Sequence, residues 1–228
     1  MDLFNYLDAF IIDSNRHTSN RPDSYTDFFD EDFDGDILSY DLFIIGVPEV
    51  VHSSLKNVRD LFSAVDSEEI SFVIWTTTPW TIPSNVAVCI YPEYKYSLIK
   101  MNNKFYVIAF EMIDQCSKRW KQKFDVISTI EGKKLNDIDL THPFLDRKSV
   151  VLHADHVTTE TGTGCVHTAP AHGMDDYLIC KKNNIDTIHS LNNKAFFKDE
   201  LDFIAGLPAM KADPLIIEKL QEQNALIN

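Results

Sequence analysis

The stretch Trp75 to Asn85, WTTTPWTIPSN, constrains the fold more tightly than any other part of the chain. It overlaps the run Ser71 to Thr77, which is β-branched and aromatic and reads as a strand. Prolines at 79 and 83 have no N–H to give to a ladder, so the chain must leave the sheet after Thr78. Hydroxyls and unpaired backbone N–H groups are then gathered at a strand end, a usual place for ligand contact.

Strand signals continue on the far side. Val86 to Ile90 reads as a strand, and Tyr94 to Met101 with Lys104 to Phe110 flank Asn102-Asn103 as a hairpin. Glu111 to Lys121 predicts a helix, followed by strands near Phe124 to Ile130 and Ser149 to Leu152. Gly164 to Thr168 is a short strand running into the turn APAHG. Met174 to Asn183 predicts a helix with Asp175 and Asp176 in its first turn, where the helix dipole favours acids. Asp213-Pro214 suits the cap and first position of a closing helix reaching about Ala225. Many short strands with few helices predict an α+β fold, a closed or strongly curled, barrel-like sheet with peripheral helices.

The front of the chain has a different texture. Of the 35 acidic and 21 basic side chains, residues 1–70 hold 16 and 4, and the rest 19 and 17. The net charge of −14 therefore belongs mostly to the front, and residues 71–228 are near neutral at −2. Residues 13–36 are polar and turn-rich with phenylalanines among the acids, a composition that favours a solvated segment or, alternatively, a docking arm for a basic partner. Leu42 to Val47 is an apolar run, and Ser54 to Val65 suits a helix. The expected organisation is residues 1–69 as an acidic, partly disordered extension of unknown role, and residues 70–228 as one domain. A near-neutral domain lacks the basic field that drives tight RNA binding alone.

No apolar run is long enough to cross a membrane, and the acidic residues of MDLFNYLDAF do not suit a secretory leader. The expected compartment is the cytoplasm. Cys89, Cys116, Cys165 and Cys180 lie far apart with no C-x-x-C pair, which argues against a zinc ribbon and a disulfide framework. Buried free thiols are expected.

A second segment, Thr161 to Tyr177 (TGTGCVHTAPAHGMDDY), places two imidazoles and two carboxylates within eleven residues. Such a cluster suits a polar pocket. It also suits plainer readings, in which the acids serve a helix N-terminus and His167 is a satisfied core histidine.

WTTTPWTIPSN followed some 80 residues later by GTGCVHTAPAHGMDDY resembles the paired signature of the isoleucyl-tRNA synthetase editing domain. The intervening HPFLDRKSVVLHADHVT is similar to the family's stretch at that place. Valyl and leucyl editing domains usually carry arginine where this chain has Thr78 and lack the Trp80 pattern, so the likeness favours the isoleucyl branch. It covers about residues 70–228. Residues 1–69 do not share it, and Cys165 and Ala171 stand where the family often has Ala and Gly. The nucleotide-site signatures of a synthetase are absent, so no tRNA charging is expected of this chain.

The resemblance implies hydrolysis of valine from mischarged tRNA(Ile), with valyl-adenylate as a further substrate. It implies roles for each matching residue. Thr76, Thr77 and Thr78 line the hydrolytic pocket and help position a water. Asn85 closes that pocket, Asp176 holds the substrate's α-ammonium, and His167 restricts the pocket to valine. Asp175 and His172 support these groups, His172 with the option of facing the tRNA end. No metal and no cofactor are expected, and the expected partner is the 3′ end of tRNA(Ile) carrying valine. The alternatives are a remnant that needs the rest of a synthetase, and an adaptor whose acidic front segment binds a protein.

Overall fold

The computed structural model describes residues 43–46, 58–63 and 69–227. The acidic stretch 13–36 and part of the expected helix at 54–65 lie outside them. Among the described residues nine strands pair in one sheet, in the order β6-β4-β5-β2-β1-β7-β8-β3-β9. They are β1 (Phe43–Gly46), β2 (Ile70–Ile74), β3 (Ala87–Ile90), β4 (Lys95–Met101), β5 (Lys104–Ala109), β6 (Asp125–Glu131), β7 (Asp139–Thr141), β8 (Lys148–His153) and β9 (Cys165–Thr168). The helices are α1 (Val58–Phe62), α2 (Ile113–Trp120), α3 (Met174–Lys182) and α4 (Asp213–Glu222), with a 3-10 helix over Pro79–Ser84.

The architecture is mixed α+β, but the expected closed or strongly curled barrel is not what forms. Strand β1 links two four-stranded halves, β6-β4-β5-β2 and β7-β8-β3-β9. The link to the second half is thin, a single register pair between Gly46 and Thr141. Among the described residues the end strands β6 and β9 pair only inward, with β4 and β3, so the ladder stays open. The sequence signals marked all of these strands except β1 and β7, but closure depends on which edges meet, and strand propensity does not encode that.

Local chemistry explains most element boundaries. Asn102 and Asn103 both adopt positive φ, 50° and 62°, the backbone that a two-residue hairpin between β4 and β5 requires. Strand β2 stops at Ile74, three residues before the expected end, and residues 75–78 form an irregular turn ahead of Pro79. Ala212, not Asp213, takes the cap position of α4, and Asp213 is the first helical residue.

Strand β3 is buried on both faces. Val88 and Ile90 join the main core with Phe72, Leu98, Val107, Leu140, Val151 and Ile216. Ala87 and Cys89 face a smaller cluster with Val86, Leu152, Ala154, Val157 and Cys180. That alternation is the period of two of a strand covered on both sides, and β3 runs parallel to its neighbour β8. All four cysteines are free and buried. Among the described residues no helix is long and apolar enough to cross a membrane.

Candidate active site

The threonine-rich turn carries the chain from one half-sheet to the other, from β2 to β3. Within it, Thr76 Oγ1 accepts the Thr78 N–H at 3.0 Å, which spends that hydroxyl on shaping the turn. Thr77 is exposed and Thr78 half-buried. The Thr78 carbonyl accepts the Thr81 hydroxyl at 2.9 Å.

Strand β9 brings His167 against this turn from 86 residues away. Its Nε2 lies 3.1 Å from Thr81 Oγ1, and its Nδ1 lies 2.7 Å from Asn85 Nδ2. The partners fix the ring's proton. Asn85 Nδ2 also donates to the Ala87 carbonyl at 2.9 Å, so it is the donor toward Nδ1. Thr81 already donates to Thr78, so it accepts from Nε2–H. His167 is therefore neutral and protonated at Nε2. Burial presses its pKa down to about 3, with His172 adding repulsion.

His172 reaches the same 3-10 helix by another route. Its Nε2–H donates to Ser84 Oγ at 2.9 Å, and Ser84 donates to Ser190 at 2.8 Å. Its ring meets Trp80 edge-on at 5.0 Å. Burial lowers its pKa to about 4.

Asp176 sits in the first turn of α3 and accepts the Ala169 N–H through Oδ2 at 2.7 Å. This fastens the carboxylate just beyond the end of β9, two residues after His167. Burial raises its pKa against the opposing pull of the Ala169 amide and of His156. Asp175 is exposed and contributes a like charge beside it. The structure thus joins Thr78, Asn85 and His167 in one bonded network, ties His172 to the same helix, and anchors Asp176 at the adjoining strand end. Among the described residues, Asp176 makes no hydrogen bond with Thr76 or Thr77.

The GTG turn before β9 is sutured into place. Thr163 Oγ1 donates to the Val73 carbonyl at 2.5 Å, and the Ala109 N–H donates to the Thr163 carbonyl at 2.8 Å. Gly164 has φ +74°, and a Cβ there would lie 2.3 Å from Ala109 Cβ, so only glycine fits.

Other groups that hold the site were not read from the sequence as part of it. Asp213 Oδ1 accepts the Trp80 N–H at 2.8 Å, which pins the front of the 3-10 helix to α4. His142, Arg147 and Ser149 hold its rear. His142 Nε2–H donates to the Ile82 carbonyl at 2.9 Å, and Arg147 Nη2 donates to Pro83 O at 2.7 Å and Asn85 O at 2.9 Å. Ser149 Oγ donates to Asn85 Oδ1 at 2.8 Å. Their signal lay in HPFLDRKS, whose side chains looked ordinary because their partners, backbone carbonyls for His142 and Arg147 and the Asn85 amide oxygen for Ser149, lie 60 or more residues away.

The family model described as "Leucyl-tRNA synthetase, editing domain" matches residues 59–205. The chain belongs to this family of synthetase editing domains. Among curated relatives of the family, the isoleucine–tRNA ligase of Dichelobacter nodosus is 45% identical over 160 residues, covering 69% of this chain and 17% of the ligase. That of Lawsonia intracellularis is 39% identical over 173 residues, covering 75% and 18%. The chain thus spans under a fifth of the length of these ligases. Editing domains also share its fold. The crystal structure of GlLeuRS-CP1 aligns with a TM-score of 0.66 at 16% identity, over 82% of this chain and 98% of that one. The editing domain of the P. falciparum cytosolic leucyl-tRNA synthetase aligns at 0.55 and 14%, over 76% and 87%.

Proposed function

We propose that this chain hydrolyses the ester of valine misattached to tRNA(Ile), in the cytoplasm, through a site built by residues 70–228. The observation that carries the reading is the network Asn85–His167–Thr81–Thr78, set beside a carboxylate that is only half-spent on its own backbone. The 45% identity to an isoleucine–tRNA ligase supports the choice of amino acid and tRNA. An apolar pocket that accepts isoleucine rejects valine by only about 1–3 kcal/mol, a limit for which this very pair is the standing example. A second, smaller site that destroys the wrong product overcomes that limit.

An aminoacyl ester is already activated, so the site needs no covalent nucleophile. Asp176 uses Oδ2 on Ala169 and keeps acceptor capacity for the substrate's α-ammonium. Thr77 and Thr78 orient the attacking water at the mouth of the turn. His167 forms the wall against which the amino-acid side chain rests. Asp175 and His172 support the carboxylate and the 3-10 helix, respectively. The front segment 1–69 lies outside this chemistry.

The test is deacylation of Val-tRNA(Ile) and Ile-tRNA(Ile) by the purified chain. Hydrolysis of valine with isoleucine spared supports the reading, and equal rates on both esters overturn its specificity. The small share of each ligase that is matched favours one second reading, in which other synthetase parts deliver the tRNA. In that case activity appears only when a synthetase lacking its own editing domain is added.

A further inference from the structure

We infer that Arg147 and Ser149, which lie outside both signature motifs, are positioning residues that set the valine limit by making His167 a fixed, neutral wall. The inference rests on the proposed function for the identity of the substrate, but the hydrogen-bond chain behind it does not.

Every link of that chain runs in one direction. The Ser149 hydroxyl donates to Asn85 Oδ1, and Asn85 Nδ2 donates to His167 Nδ1. His167 Nε2–H donates to Thr81, and the Thr81 hydroxyl donates to the Thr78 carbonyl. The direction is set at the buried end. Asn85 has no exposed surface, and its amide is held at three points. Ser149 supplies the proton for its oxygen, while the Ala87 carbonyl demands its nitrogen. Arg147 fixes its backbone carbonyl. Turning the amide over would set its oxygen against both the Ala87 oxygen and His167 Nδ1, and its nitrogen against the Ser149 hydroxyl.

The consequence lies in what His167 has left to offer. With both ring nitrogens tied, the imidazole presents only carbon edges to a substrate, and it can neither swing nor take up a proton without breaking a bond. A rigid apolar wall excludes an extra methylene by packing, whereas a mobile or charged ring would yield to it. Arg147 does its part with a single nitrogen: Nη2 alone serves both the Pro83 and Asn85 carbonyls, while Nε is buried without a partner. An ammonium at the same place has enough donors for both carbonyls.

The experiment uses the full chain labelled with nitrogen-15 in histidine, with His167 identified by the signal lost on His167→Gln. Long-range proton–nitrogen spectra report which ring nitrogen carries the proton. In parallel, the ratio of Val-tRNA(Ile) to Ile-tRNA(Ile) deacylation is measured. Wild type should show a single Nε2–H form of His167 that persists to pH 5. Ser149→Ala leaves Asn85 Oδ1 without its donor, so the form becomes mixed and the ratio falls about tenfold, the size of one lost hydrogen bond. Arg147→Met should act in the same direction, and Arg147→Lys should recover most of the loss.

An unchanged His167 spectrum and ratio in Ser149→Ala overturns the inference. Equal damage from Arg147→Lys and Arg147→Met overturns it for Arg147, and that pair decides if Ser149→Ala does not fold. If wild type hydrolyses neither ester while its spectrum shows the Nε2–H form, the proposed function fails and the wall stands.

Discussion

Asp176 and His167 should fail in different ways when truncated, because in the proposed function one holds the part common to all aminoacyl esters and the other borders the part that differs. Asp176→Ala removes a charge-assisted bond of about 1.5–3 kcal/mol, so valine hydrolysis should fall roughly 10- to 150-fold with no new substrate gained. His167→Ala enlarges the side-chain space, so valine hydrolysis falls modestly while Ile-tRNA(Ile) begins to be cleaved. The ratio of the two rates in each variant checks both assignments. A subtler change probes the proton itself. Asn85→Asp puts a carboxylate oxygen 2.7 Å from His167 Nδ1, where an N–H now donates. The ring must then carry a proton at Nδ1, and its pKa should rise well above the present value of about 3. A histidine titration by NMR reads this directly, and a ring still neutral at pH 5 would contradict the assigned direction of the hydrogen bonds.

At the scale of elements, the 3-10 helix Pro79–Ser84 is gripped at the front by α4 and at the rear by the segment leading into β8. The front grip is titratable. Burial raises the Asp213 pKa from 3.8 to about 6, against the Trp80 N–H that lowers it. A carboxyl with a raised native pKa favours the fold most below pH 4, and the benefit is lost as pH climbs to about 6. Asp213→Asn keeps an acceptor for Trp80 but carries no charge. Its Tm relative to wild type should therefore rise between pH 4.5 and pH 7.5, and a flat difference would show that the charge is not penalised. This grip also shows what the sequence concealed. The strands other than β1 and β7, the hairpin at Asn102-Asn103 and the helix after Gly173 follow from local propensity and turn chemistry, and they were legible. So were the two motifs, because prolines and glycines mark abrupt turns whatever surrounds them. Asp213 suited a helix cap by its position beside Pro214, yet its carboxylate turns to a backbone 133 residues away. His142, Arg147 and Ser149 were hidden for the same reason, and the openness of the sheet rests on strand edges that no local signal describes.

Across the whole molecule, charge is distributed unevenly for a protein proposed to meet RNA. Residues 71–228 sum to −2, yet Lys118, Arg119, Lys121 and Lys123 are all exposed around the end of α2. The Arg119 guanidinium lies over the Trp75 ring at 5.5 Å, one residue before the threonine turn. Affinity for an acceptor-stem RNA should accordingly be weak and fall steeply with salt. Reversing Lys118, Lys121 and Lys123 to glutamate should flatten the slope of log K against log salt by about two to three. Tight, salt-insensitive binding would mean that contacts other than phosphates dominate. The long spans within the site carry a consequence of another kind. Ser149, His167 and Thr81 meet their partners across 64, 82 and 86 residues of chain, whereas β4 and β5 close through a two-residue turn. Non-local pairing is slow because loop entropy must be lost before any contact repays it. During refolding, or emergence from a ribosome, the β4–β5 hairpin exists well before the His167 wall does. In that interval the chain has its first hairpin but not the wall proposed to tell valine from isoleucine, so on that proposal discrimination is among the last properties the molecule acquires as it folds.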